Sequence, residues 1–518
     1  MRFIFTLSLL FAWAPTAFTQ NFPPVVNELF TNTDQQQRIL RVTYSVSDPE
    51  NDSLEVIVQF SNNGGRTYNL TLPASGDLGF PVLPGAGKTI EVDLNPILGQ
   101  DSAWWVRLVV LDRKPFDVNS LVASVDSNRL RHDLDYIEGV RHRSSGATHL
   151  EAVRDSLRAQ FYRHDLHVQE HTFPYSGATG VNLAGSVPGI TSADTVVIID
   201  AHYDTVFNSP GADDNGSGTA GVIEAVRTLS RFPADRTVRF IGFDLEEAGL
   251  VGSARYVAEA LPVNESISGV LNFEMIGYYS DAPNSQTLPA GFNILFPDAY
   301  NAVAAQQFRG NFITNVGNTA SSALVDLFAQ SAATHVPNLR VISIKAPGNS
   351  QIAPDLRRSD HAPFWDAGFP ALMITDGANF RNACYHTAMD TADQKLSFTF
   401  MSDVLRATLA TAAQLAGARH GDWAVAPFFG LVPSNEATPE PCVLNVYRKG
   451  AGLSVDPGNC SDALLTLEIF NAQGALLQQS RLPGHTGPQW IDCPGLASGM
   501  YFVRAGTSKG VQTVQVWF

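Results

Sequence analysis

The sequence predicts an α/β protein: a mostly parallel sheet with helices on both faces, flanked by N-terminal and C-terminal β-sandwich domains. Three observations predict it. Between about residues 119 and 422, continuous apolar runs alternate with helical patterns, as strands buried on both faces of a parallel sheet require. On either side of that region, short strands are punctuated by turn residues, the texture of antiparallel sandwiches. The chain has 518 residues, enough for several such domains.

The elements follow in order. Met1-Arg2 precedes an apolar run from Phe3 to Ala14, the layout of a secretory signal over 1–19. That run is about twelve residues, short of the ~20 that span a bilayer. Over 20–118, Val42, Tyr44 and Val46 alternate, then Leu54, Val56 and Val58, with the acidic turn Asp48–Asp52 between them. Trp104–Val110 reads as a further strand. This region resembles the fibronectin type III-like modules of bacterial exported enzymes. In 119–422, Leu150–Phe161 is amphipathic and Thr219–Leu229 helical, while Thr195–Ile199, Thr237–Phe243, Ile267–Phe273 and Ala371–Thr375 read as buried strands. Pro/Ala-rich sequence over 423–440 reads as a linker. Short strands and glycine turns return over 441–518, where Leu496-Ala497-Ser498-Gly499-Met500-Tyr501 resembles the C-terminal sorting domain of the Bacteroidetes type IX secretion system.

Composition removes several classes of function. Hydrophobic residues make up 44% and charged residues 16%, which excludes a disordered chain. A net charge of −16 argues against a nucleic-acid partner, and no membrane span is expected. Four cysteines exclude a disulfide scaffold and a thiolate-held zinc fold. Cys442, Cys460 and Cys493 fall in the tail, where a pair is plausible, and Cys384 stands alone upstream.

Chemistry gathers at the ends of the buried strands of 119–422, where ligands of such folds collect. After Ile199 come His202 and Asp204, a spacing that lets a carboxylate fix an imidazole tautomer. Asp213-Asp214-Asn215-Gly216-Ser217-Gly218 runs into a helix. Glu246-Glu247 follows the strand ending at Phe243 and offers one metal ligand beside one general base. Glu274 follows Phe273, and Tyr385-His386 with Asp390 supplies the second histidine. His202, His386, Asp214, Glu247 and Glu274 form a nitrogen and oxygen donor set that suits zinc. Five ligands exceed one tetrahedral site. A bridging Asp214 would divide them between two metals.

The ordered motifs His-x-Asp, Asp-Asp-Asn-Gly-Ser-Gly, Glu-Glu-x-Gly-x-x-Gly-Ser, Asn-Phe-Glu-Met-Ile-Gly and Tyr-His-Thr-x-x-Asp resemble the M28 family of zinc aminopeptidases, a zinc-exopeptidase fold. The resemblance implies two zinc ions, one on His202 and Glu274, the other on His386 and Glu247, with Asp214 bridging. It makes Glu246 the general base and Tyr385 an oxyanion donor, with Asp204 and Asp390 supporting the ligands from behind. It also implies a cis Asp214–Asn215 peptide. Glu274 departs from relatives that have Asp there. Cys384 lacks the nearby cysteine that many relatives pair with it, so a lone thiol is expected.

The function expected on this basis is a secreted dizinc aminopeptidase acting on peptides with a free N-terminus. Its tail would engage the secretion machinery and deliver it outside the cell or to the surface. A glutaminyl-cyclase-like M28 relative is the enzymatic alternative, although Tyr385 stands where such enzymes usually have Trp. A cell-surface binding protein with a relic peptidase domain is the other. Ser359-Asp360-His361 suggests a serine hydrolase only weakly, because no Gly-x-Ser-x-Gly elbow is present.

Overall fold

The computed structural model describes residues 22–34, 36–97, 104–394 and 396–431, and most of the strands between 445 and 517. The signal-like residues 1–19 lie outside that set, as do Cys442 and Cys460.

Strands β1 (Val25–Asp34), β2 (Ile39–Ser47), β3 (Leu54–Ser61), β4 (Ala74–Gly76), β5 (Gly79–Val82), β6 (Gly85–Asp93) and β7 (Trp104–Leu111) build the N-terminal sandwich. One sheet has the order β1-β2-β6-β4. The alternation read in the sequence becomes its core: Leu40, Val42 and Tyr44 face Leu54, Val56, Phe60, Val106 and Leu108. The acidic turn Asp48–Asp52 is met by a side chain, with Lys114 Nζ 2.6 Å from Asp52 Oδ2.

The central region contributes β8 (His167–Tyr175), β9 (Ala178–Val187), β10 (Ser192–His202), β11 (Arg236–Phe243), β12 (Ser266–Glu274), β13 (Ile313–Gly317), β14 (Val341–Lys345) and β15 (Ala371–Thr375). They form one sheet in the order β14-β13-β15-β12-β10-β11-β9-β8. The central strands β15, β12, β10 and β11 are parallel to one another, and antiparallel pairs occur only toward the two sides. Successive residues of β10 point to opposite faces. Val197 and Ile199 join one core, which is covered by helices including Ala147–Arg163, Gly218–Leu229 and Phe398–Ala416. Val196 and Ile198 join the other, with Phe364 and Trp365 of the helix His361–Asp366. Both faces are apolar because both are covered.

The expected linker is corrected at its start. Trp423–Leu431 forms β16, which pairs antiparallel with β7 over eight positions, from Trp423↔Leu111 to Leu431↔Trp104. The second sheet of the sandwich is therefore β16-β7-β3-β5, with the central α/β region inserted between two of its neighbouring strands. Proline is tolerated on an edge strand, and Pro427 lies on this one. A second tie holds the sandwich in place. Buried Arg107 donates to Gln59 Oε1 and to the carbonyls of Pro188 and Gly189, and Gln59 Nε2 donates to the Ile190 carbonyl at 2.7 Å.

The tail carries β17 (Asn445–Lys449), β18 (Gly452–Asp456), β19 (Leu465–Asn471), β20 (Leu476–Leu482), β21 (Gln489–Asp492), β22 (Met500–Thr507) and β23 (Gly510–Trp517) in two sheets, β17-β18-β21 and β20-β19-β22-β23. No helix among the described residues is long and apolar enough to cross a membrane.

Two predictions follow from this packing. A chain truncated after Asp422 is expected to be less stable than one truncated after Leu431. Eight lost cross-strand positions correspond to about 2–8 kcal/mol. Equal melting temperatures would contradict the pairing. The second concerns His361, which is fully buried, donates from Nε2 to the Leu356 carbonyl at 3.0 Å and lies edge-on to Trp365. Burial pushes its pKa down to about 3. The unfolded chain takes up this proton below about pH 6.5, whereas the folded chain does not. The group's contribution to stability is complete above that pH and is lost as pH falls toward 3, amounting to about 2 kcal/mol by pH 5. Denaturant unfolding at pH 7.5 and 5.0 should show the wild type losing more stability than H361Q by that amount. Equal losses would show that His361 is not held neutral.

Candidate metal centre

The strand register aligns the chemistry. His202 ends β10 opposite Phe243 of β11, and Asp200 lies opposite Asn272 of β12. Glu274 ends β12 opposite Thr375 of β15. The carboxyl ends of four parallel strands therefore open onto one space.

The loop bearing Asp214 is fixed from several sides. Gly211 has φ +59°, and a Cβ there would meet the Asp214 carbonyl and Thr205 Cγ2, each at 2.4 Å. The Asp214–Asn215 peptide is cis. Asn215 Nδ2 donates to the Phe273 carbonyl, and its Oδ1 accepts from the amides of Gly218 and Met275. The Asp390 carboxylate accepts from the amides of Asp213 at 3.0 Å and Asp214 at 3.1 Å. It thus braces the chain on which Asp214 sits. Asp204 has two tasks. Its Oδ1 lies 3.4 Å from His202 Nδ1, and its two oxygens accept the amides of Glu246 and Glu247.

In the resulting geometry the two histidines stand on opposite sides of one carboxylate. Asp214 Oδ1 is 3.5 Å from His202 Nε2, and Asp214 Oδ2 is 3.0 Å from His386 Nε2. His202 Nε2 also faces Glu274 Oε2 at 3.4 Å, and His386 Nε2 faces Glu247 Oε2 at 3.3 Å. Glu246 Oε2 stands farther back, 4.0 Å from His202 Nε2. Two clusters have donor atoms close enough to share an ion: His202 with Glu246 and Glu274, and Asp214 with Glu247 and His386.

The electrostatics are strained without a cation. Burial opposes charge on His202, but Glu246, Asp204 and Glu274 outweigh it and hold its pKa well above the ordinary value. Burial likewise opposes charge on His386, yet Asp214 and Glu247 raise it to about 10. Burial, with Asp214 beside it, pushes Glu247 up to about 7. Burial also raises Glu246 well above its usual range, aided by Glu274, Glu247 and Asp360 and opposed by His202. Both ring nitrogens of His202 and Glu247 Oε1 are buried without a well-formed hydrogen bond among the described residues. Such orphaned donors in a nitrogen and oxygen set fit a zinc-type ion.

Beside the cluster lies a cavity of about 740 Å³, including its open mouth. Phe292, Val303, Phe312, Ile342 and Met373 line it, and Glu274, Arg358 and Tyr385 stand at its polar side. The Tyr385 ring stacks on His386 with centroids 3.7 Å apart, and Tyr385 Oη accepts a hydrogen bond from Arg358 Nη2 at 2.9 Å. Burial, with Asp214 and Glu274, pushes the phenol pKa up.

Several supports of the site carry no signature in the sequence. Ser359 Oγ donates to Glu274 Oε2 at 2.6 Å, not to His361, which disposes of the serine-hydrolase grouping. Arg358, Arg141 and the walls of the cavity were also unmarked, because each acts through a tertiary contact that no spacing encodes. Cys384 is in no disulfide among the described residues.

Residues 182–412 match the family described as peptidase family M28, and residues 453–517 match a secretion system C-terminal sorting domain. An uncharacterized Escherichia coli protein, YfbL, is 34% identical over 40% of this chain and 64% of its own length. Leupeptin-inactivating enzyme 1 of Streptomyces exfoliatus is 30% identical over 48% of this chain and 52% of its own. The chain thus spans less than two thirds of either relative. A solved structure described as a zinc aminopeptidase from Bacillus subtilis has 24% identity and a TM-score of 0.36, covering 47% of this chain and 52% of that one. The likeness to peptidase family M28 thus lies in residues 182–412, and that to a secretion system C-terminal sorting domain in residues 453–517.

Proposed function

We propose that this protein is a dizinc aminopeptidase, exported through its N-terminal signal and the type IX system, that removes the first residue of peptides. The observation that supports this most is the Asp214 carboxylate lying between His202 and His386, each histidine with its own glutamate. Asp214 would bridge, His202 and Glu274 would hold one ion, and His386 and Glu247 the other. Bound zinc would supply Lewis acidity, polarising the scissile carbonyl and making water acidic enough to attack near neutral pH.

The remaining roles belong to the chain. Glu246 stands back from His202 and is 8% exposed. Its backbone is fixed through Asp204, so its carboxylate is free to take a proton from attacking water and pass it to the leaving amine. Tyr385 accepts from Arg358, which leaves its own O–H to donate to the developing oxyanion. The raised phenol pKa keeps that proton in place. The surplus of carboxylates favours a free α-ammonium, and the apolar cavity suits a bulky apolar side chain on the same residue. The sorting domain over 453–517 supports the export reading.

E246Q is expected to retain bound zinc and lose hydrolysis of amino-acyl anilides by about 10²–10⁴-fold. Chelation should abolish wild-type activity, zinc should restore it, and N-blocked anilides should resist. A Gln-initiated peptide should be shortened; its cyclisation without shortening would favour the cyclase reading. Full activity in E246Q would overturn the assignment of the base.

A further inference from the structure

Arg141 is fully buried and makes no hydrogen bond to a carboxylate among those described. Its guanidinium instead donates to five main-chain carbonyls. Nε reaches the Tyr203 carbonyl at 2.8 Å, and Nη1 reaches those of Ile137, Gly139 and Pro210 at 2.8, 2.9 and 2.8 Å. Nη2 donates to the Gly211 carbonyl at 2.8 Å. The Arg141 amide donates to Thr205 Oγ1 at 2.9 Å, and the Arg141 carbonyl accepts the Thr205 amide at 3.3 Å.

These contacts join three pieces of chain that meet at the metal centre. Tyr203 directly follows His202, and Thr205 directly follows Asp204. Pro210 and Gly211 lead into Asp214, and the Gly211 carbonyl also accepts the Gly216 amide at 3.0 Å, closing the turn around Asp214. Ile137 and Gly139 lie at the end of the helix Ser127–Ile137. One planar fork thus grips the neighbours of both His202 and Asp214. A lysine could not do this, having a single nitrogen and no fixed fork. Burial pulls the Arg141 pKa down to about 10, and the nearby carboxylates of Asp390, Asp204, Asp214 and Glu247 oppose that shift.

We infer that Arg141 is the positioning residue that sets Asp214 at its distance from His202, and so fixes the spacing between the two halves of the metal centre. This rests on the reading of the cluster as a metal site. Its natural readout is metal affinity, since residues behind the ligands typically change affinity by about 10–100-fold.

The test is competition for zinc against a chromophoric chelator, using metal-free full-length wild type, R141K, R141M and T205V, with circular dichroism confirming the fold. Hydrogen exchange over 203–216 in the same metal-free proteins reports the loop. R141K and R141M are expected to bind zinc about 10–100-fold more weakly and to exchange faster over 203–216, with β12 unchanged. T205V, which removes one tie, should show a smaller loss in the same direction. A folded R141M with wild-type zinc affinity overturns the inference, even if its melting temperature falls. Should both Arg141 variants fail to fold, T205V decides: weaker zinc binding supports the inference and unchanged binding overturns it. Wild type that binds no zinc would instead overturn the metal-centre reading on which the inference rests.

Discussion

Four carboxylates and two imidazoles converge in a space that excludes most water, and the catalytic region is organised around that constraint. Asp214, Glu246 and Glu274 are buried and Glu247 nearly so, while His386 alone retains substantial exposure. Like charges at these distances are tolerable only if protons or cations lie between them. The parallel strands create the convergence, since β10, β11, β12 and β15 end in register and every loop leaving them starts at the same edge. Hydrogen bonds then fix which atoms meet: Asp390 holds the backbone amides of Asp213 and Asp214, and Asp204 holds those of Glu246 and Glu247 while facing His202.

The supporting structure extends outward from there. Arg141 joins the segments that carry His202 and Asp214, and Ser359 holds one oxygen of Glu274. Beyond Glu274 the site opens into an apolar cavity beside the acidic cluster. On the far side, the N-terminal sandwich grips the 188–190 segment between β9 and β10 through Arg107 and Gln59. Because β16 completes that sandwich, the chain enters and leaves the catalytic region through the same domain.

Much of this was legible in the sequence, for a physical reason. A strand buried on both faces must be continuously apolar, so the charged residue that ends it stands out. His202, Glu246-Glu247 and Glu274 each follow such a run. The apolar runs match β11 and β12 to within one residue at each end and β15 to the residue, whereas β10 extends three residues beyond Thr195–Ile199 on both sides. The hairpin of β8 and β9 is not legible in the sequence, nor are β13 and β14, because their polar or short runs carry no strong period. The sequence of β16 reads as linker, since Ala424, Ala426 and Pro427 suggest a coil, although an edge strand accepts them. Arg141 sits in an Arg/His-rich stretch that reads as solvated surface, and only the fold reveals the five carbonyls around it.

Whether Asp214 joins two metal sites is decided by diffraction from zinc-loaded crystals at the zinc absorption edge. Two anomalous peaks about 3.5–4 Å apart are expected. One should lie by His202 and Glu274, the other by His386 and Glu247, with the Asp214 carboxylate between them. A single peak, or peaks away from these residues, would contradict it.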